Sequence, residues 1–157
     1  LPSPPQGPVP HALIFCNTIE SCRRVENGLR RADRRGASYR VWAYHGAISA
    51  EARKKSLEQF VAADAADGAA AVPRLLVCTD RASRGMDFPQ VGHVLLFDFP
   101  RDGVEYVRRV GRATRGTGAP GRVTSLLLGR QVAYARALMK LNQQDFAWFV
   151  GTKAQFQ

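Results

Sequence analysis

The chain has 157 residues, of which 45% are hydrophobic and 23% charged, a balance that suits one soluble folded domain with a real core. Its longest apolar runs, such as ALIFC and VLLF, fall far short of the roughly 18 residues a helical bilayer span needs, so no membrane partner is expected. Net charge is +10, and 19 of the 23 basic residues are arginine, whose planar fork matches phosphate bidentately where lysine is a point charge, so the composition favours a phosphate-bearing partner.

Residues 1–10, LPSPPQGPVP, hold five prolines and read as a stiff linker or arm, which implies a further domain on its other side. The run 11–17 has strand length, and Asn17 with Glu20 three residues on marks a helix start. Cys22, Val25, Leu29 and Ala32 then recur at helical spacing up to Gly36. A second strand covers 39–46 and ends at Gly46; Ser49 caps a helix that buries Leu57, Phe60 and Val61. Residues 62–73 hold seven alanines and read as a surface loop without chemistry. Strands follow at 74–80 and 93–100. Asp102 and Glu105 form a capping box for the next helix, with Val104, Val107 and Gly111 expected on its inner face. A fifth strand spans 121–128. A last helix spans 131–143, with Val132, Leu138, Met139 and Leu141 as its apolar contacts. Residues 146–157 form an aromatic tail containing Phe146, Trp148, Phe149 and Phe156. Cys16, Cys22 and Cys78 make no CxxC pair, which argues against a metal site or disulfide framework and for core thiols in a reducing, intracellular compartment.

Strands that read as continuous apolar runs and alternate with helices imply an α/β fold, with a mostly parallel central sheet and helices on both faces. In such folds ligands gather at the carboxyl ends of the strands, where the suspicious stretches of this sequence fall. One of them, YVRRVGRATRG at 106–116, places four arginines in eight positions. If it is helical, Arg108, Arg112 and Arg115 share one stripe and repel one another, a cost that an anionic partner removes. No G-x-x-x-x-G-K-[ST] loop occurs, so tight nucleotide binding by this chain alone is not expected. A basic helix at the functional edge without a phosphate loop suggests a domain that completes another domain's site.

In order, LIFCNT, HGAISAEAR, CTDRASRGMD, VLLFDFP and YVRRVGRATR resemble motifs IV, IVa, V, Va and VI of the second RecA-like domain of superfamily 2 helicases, most closely the DEAD-box RNA helicases. The resemblance covers about residues 11–130 and implies a RecA-like three-layer sandwich over 11–145. Its spelling is similar to organellar, especially chloroplast, members; the nucleus and cytoplasm are the alternatives. It also implies that ATP and Mg2+ are bound mainly by an N-terminal RecA-like domain of the same protein, onto which Arg112 and Arg115, with Arg109, bring positive charge. In the family's terms Gly85 and Asp87 face the nucleotide, Asp87 accepting from a ribose hydroxyl. Thr18, Gly46, Arg53, Thr79 and Asp80 contact the sugar-phosphate backbone of RNA, largely independently of sequence.

Three positions depart from the family pattern. Arg108 stands where histidine is usual, Thr114 where glycine is, and Ala50 where glutamine is. Arg108 puts in doubt the usual coupling of hydrolysis to RNA binding, and Ala50 removes one backbone contact. His45 is expected to pack and orient its turn, and Phe15 and Trp42 to belong to the core. The isolated domain is expected to be a monomer without ATPase activity and with weak, salt-sensitive RNA binding. Two other readings stay open at this point, an ATPase-inactive RNA-binding or adaptor domain and a DNA-directed superfamily 2 relative.

Overall fold

The computed structural model describes residues 11–62, 72–80, 91–113, 121–142 and 147–150. In chain order it contains β1 (Ala12–Cys16), α1 (Ile19–Ala32), β2 (Arg40–Tyr44), α2 (Ala50–Val61), β3 (Arg74–Thr79), β4 (His93–Leu96), α3 (Gly103–Val110), β5 (Arg122–Leu127), a 3-10 turn (Gly129–Gln131), α4 (Val132–Asn142) and β6 (Ala147–Val150). The six strands form one parallel sheet in the order β2-β3-β1-β4-β5-β6. Among the described residues no helix is long and apolar enough to cross a membrane.

β1 lies at the heart of the sheet, and all five of its residues are buried because both faces are covered. Its side chains alternate between two cores. Leu13 and Phe15 join Phe60 of α2, Tyr106 and Val110 of α3 and Ala135 of α4, while Ile14 and Cys16 join Cys22 and Val25 of α1. Three helices therefore cover one face and α1 the other. Cys16, Cys22 and Cys78 are free thiols, all buried, as expected of core residues. The register sets Cys16 beside Thr79 and Phe15 beside Leu96, so the carboxyl ends of β3, β1 and β4 finish level with one another.

Several elements differ from the sequence expectation, each for an identifiable physical reason. The N-cap of α1 is Thr18, whose Oγ1 accepts from the Ser21 N–H, because Asn17 is drawn away to bond the Phe99 carbonyl. Ser49 caps α2 as expected, but Val61 is exposed at the last turn. That turn is closed from inside the protein by Arg74, a buried guanidinium that donates to the Phe60 and Ala62 carbonyls. At α3, Asp102 accepts from the Glu105 N–H, but the Glu105 carboxylate reaches back to the Arg101 N–H rather than to Asp102, which leaves the capping box half formed.

Two differences are larger. α3 ends at Val110, so Arg112 leaves the helix in a turn and does not continue a stripe with Arg108. The inner face of α3 is Tyr106, Arg109 and Val110, whereas Val104 and Val107 are 67% and 52% exposed. The expected aromatic tail is also partly sheet, since Ala147–Val150 pairs in parallel with β5, Trp148 opposite Ser125. α4 buries Ala135 and packs Val132 and Leu138 on the core, while the side chains of Met139 and Leu141 lie outside the described residues. The expected linker at 1–10 and the alanine-rich 63–71 also lie outside them.

His93 at the start of β4 holds Thr124 Oγ1 at 3.0 Å, and burial, with Arg122 nearby, pushes its imidazole down to about 4. Folded His93 is thus neutral where an unfolded histidine, titrating near 6.5, gains a proton. Its contribution is complete above about pH 6.5 and falls as the pH drops towards about 4. Chemical denaturation should show a loss on the order of 2–3 kcal/mol across that window, and His93→Gln should flatten the profile.

Candidate functional site

The level carboxyl edge of β3, β1 and β4 is organised by one side chain. Arg109 projects from the inner face of α3 and is 1% exposed. Its Nε donates to both carboxylate oxygens of Asp80 at 3.0 Å, Nη1 to the Asp98 carbonyl at 2.7 Å, and Nη2 to Asn17 Oδ1 at 2.7 Å and to Asp80 Oδ2. Glu105 lies 4.0 Å from Nη2, one turn back along α3, and the guanidinium carbon stands 5.4 Å from the centre of the Phe15 ring. Asn17 completes the lattice. Its N–H donates to Asp98 Oδ2 at 3.0 Å and its Nδ2 to the Phe99 carbonyl at 3.0 Å. One guanidinium thereby ties the ends of β1, β3 and β4 to the helix that carries the arginine cluster.

The burial of this charge follows from chemistry. A guanidinium offers five donors in a rigid fork, and here a carboxylate, a main-chain carbonyl and an amide oxygen meet that fork around its plane. The charged bonds are short and mutually supporting, which offsets desolvation that would otherwise cost several kcal/mol per ion. Sequence reasoning missed this role because charged positions on a helix usually face water.

The expected site residues separate into three groups. Arg109 and Asp80, expected at ATP and RNA respectively, are bound to each other inside the domain. Asp80 is 7% exposed and Arg109 holds its carboxylate. Thr79 is buried at the end of β3. At the surface stand Thr18, Gly46 and Arg53. Arg53 is half-buried, donates to the Ile48 carbonyl at 2.6 Å and hydrogen-bonds Tyr44, which braces the β2–α2 turn containing Gly46. A Cβ added at Gly46 would meet open space, so nothing among the described residues requires glycine there. Arg112 follows α3 at the same edge, its carbonyl accepting from the Val91 N–H at 2.9 Å, and Ala113 bridges to Val91. Gly85, Asp87, Thr114 and Arg115 lie outside the described residues. His45 is buried as expected, and its carbonyl accepts from the Ile48 N–H.

Removing the guanidinium would take the Arg109 charge away from the buried Asp80 carboxylate. Arg109→Met should cost about 3–5 kcal/mol in chemical denaturation. Arg109→Lys should recover little of that loss, because an ammonium cannot reach three acceptors in one plane.

The comparisons with known proteins agree with this architecture. A family profile described as helicase conserved C-terminal domain matches residues 6–117. The DEAD-box ATP-dependent RNA helicase 50 of Oryza sativa subsp. japonica is 47% identical over 137 residues, which is 87% of this chain and 21% of that protein. Its counterpart of the same name in Arabidopsis thaliana is 45% identical over 139 residues, 88% of this chain and 17% of that protein. The chain thus spans about a fifth of the length of these curated relatives. Among solved structures, Mss116p DEAD-box helicase domain 2 bound to an RNA duplex superposes with a TM-score of 0.67 at 24% identity, over 92% of this chain and 53% of that one. With the profile matched over most of its length, on a parallel sheet ordered as described, the chain belongs to the helicase conserved C-terminal domain family and is a C-terminal RecA-like domain of the DEAD-box type.

Proposed function

We propose that this domain is one half of an ATP-driven RNA helicase, completing a nucleotide site on a second RecA-like domain of the same protein while holding RNA by its backbone. The observation that carries this reading is the anchoring of α3. Arg109 is committed to the interior, so the helix is locked onto the carboxyl ends of three strands, and Arg112 leaves its last turn at that edge with its main chain pinned by Val91.

A guanidinium presented from a fixed turn suits a γ-phosphate, since charge that needs no reorganisation stabilises phosphoryl transfer best. ATP would bring its own magnesium and sit mainly on the other domain. What this domain would offer the γ-phosphate is Arg112, with Arg115 three residues on. Gly85 and Asp87 complete the proposed nucleotide face. For RNA the proposal keeps Thr18, Gly46 and Arg53. The Thr18 hydroxyl accepts from Ser21 N–H and retains its own O–H to donate to a phosphate oxygen. Gly46, open on its outer side, lets a backbone approach closely. Mss116p domain 2 has been solved on an RNA duplex, and that neighbour supports RNA as the partner. Closure of the two domains on one strand would bend it and destabilise a duplex locally, and hydrolysis would release it.

The test is RNA-stimulated ATP hydrolysis by the protein that carries this domain. Arg112→Ala and Arg115→Ala should each lower turnover by about 10³-fold or more while nucleotide binding is largely retained. Unchanged turnover would overturn the proposal in favour of an RNA-binding adaptor without ATPase activity.

A further inference from the structure

β2 is an edge strand, and beyond its outer side lies a cleft of about 310 Å³, at the lower end of the range for small-ligand sites. It is lined from α1 by Arg23, Glu26 and Arg30, of which Glu26 and Arg30 pair with each other at 3.1 Å and leave Arg23 as the cation turned to the cleft, from β2 by Trp42 and His45, and from the turn and α2 by Ile48 and Ser56. The β2–α2 turn is shared with the proposed RNA edge. Gly46 lies between the lining residues His45 and Ala47, and Arg53 holds the Ile48 carbonyl.

Three features of the cleft point to an anionic ligand with an aromatic or apolar part. Arg23 is exposed and has no ion-pair partner among the described residues, whereas Arg24 beside it is paired with Glu20 at 3.0 Å. His45 is 3% exposed, and its Nδ1 has no hydrogen-bond partner among the described residues. Trp42 and Ile48 supply apolar surface next to these groups. Cationic side chains interleaved with an aromatic suit the phosphate and the base of a single-stranded nucleotide.

An added peptide strand is the competing occupant of any sheet edge. Here the Val41 carbonyl, which such a strand would need, is already taken by Arg30 Nη2 at 2.9 Å. Arg30 also bonds Glu26 at 3.1 Å, which fixes it in that capping position. One acceptor that an added strand would use is therefore occupied, whereas Arg23 beside it has no ion-pair partner among the described residues.

We propose that the cleft outside β2 is a further RNA subsite, taking one nucleotide of the strand as it leaves the carboxyl edge past Gly46, with Arg23 on the phosphate and Trp42 beside the base. The subsite rests on the RNA reading of that edge, and the experiment separates the two. Oligouridylates of increasing length are bound to the protein carrying this domain, as wild type, Arg23→Glu and Arg24→Glu, across a salt series. Past the length that fills the edge, wild type should gain affinity with each added nucleotide. Arg23→Glu should lose about 5–10-fold on the long oligomer, with a salt slope reduced by about 1, and should bind the short one as wild type does. Arg24→Glu should be near neutral. A 4-thiouridine in the long oligomer should crosslink to Trp42.

Equal losses in Arg23→Glu and Arg24→Glu, or no length dependence, would overturn the subsite and leave the edge reading intact. Failure of wild type to bind any length would overturn the edge reading itself. If polyglutamate binds wild type but not Arg23→Glu while the length dependence is absent, the cleft is a protein-docking site and the proposal falls.

Discussion

The buried pair of Arg109 and Asp80 is the contact on which the functional edge depends. Parallel strands hold one another along their length, but their ends are free to splay, and the chemistry of α/β domains is placed at those ends. Here the ends of β1, β3 and β4 converge on one guanidinium, through Asn17, Asp80 and the Asp98 carbonyl. A hydrophobic contact could bring the same segments together, but it is non-directional, whereas a fork of fixed N–H vectors sets both distance and angle. The pair therefore contributes position more than stability, because its attraction largely offsets the desolvation of its own charges.

Much of the fold was legible because its causes are local. β1, β3 and β4 read as apolar runs because both faces of the sheet are covered, and Ser49 and Asp102 announce their helices by side-chain bonds three residues long. What failed depends on partners distant in sequence. Val104 and Val107 have the spacing of an inner face and Arg109 has the character of an outer residue, yet the order is reversed by a carboxylate 29 residues upstream. Asn17 and Thr18 are equally good caps on paper, and a bond to Phe99, 82 positions away, decides between them. β6 is not legible, because Ala147–Val150 reads only as part of an aromatic tail and its strand character comes from pairing with β5. The candidate site was legible in position but less so in role. The edge carries the motifs, but which arginine serves the interior and which faces outward is a matter of helix phase.

The arginine excess therefore has more than one purpose. Arg74 closes the end of α2 from inside and Arg109 fastens the strand ends, so two of the 19 arginines are internal fittings that no external anion sees. Arg24 and Arg30 are engaged by glutamates one turn away on α1. Net charge describes the field that attracts an anion to the domain, while the partners of each guanidinium decide where it can be held.

The three buried thiols carry a consequence of a different kind. A hydrogen bond that the Cys16 thiol donates to Cys22, with burial, pushes that thiol well up, and burial does the same to Cys78, so neither offers a thiolate at neutral pH. Alkylating reagents attack the thiolate, and the native domain hides both the atom and its reactive form. Their modification must wait for the sheet to open between β1 and β3 or for α1 to lift from it. The rate at which a thiol reagent labels this chain is thus a clock for its opening, built into the wild-type sequence and readable without a single substitution.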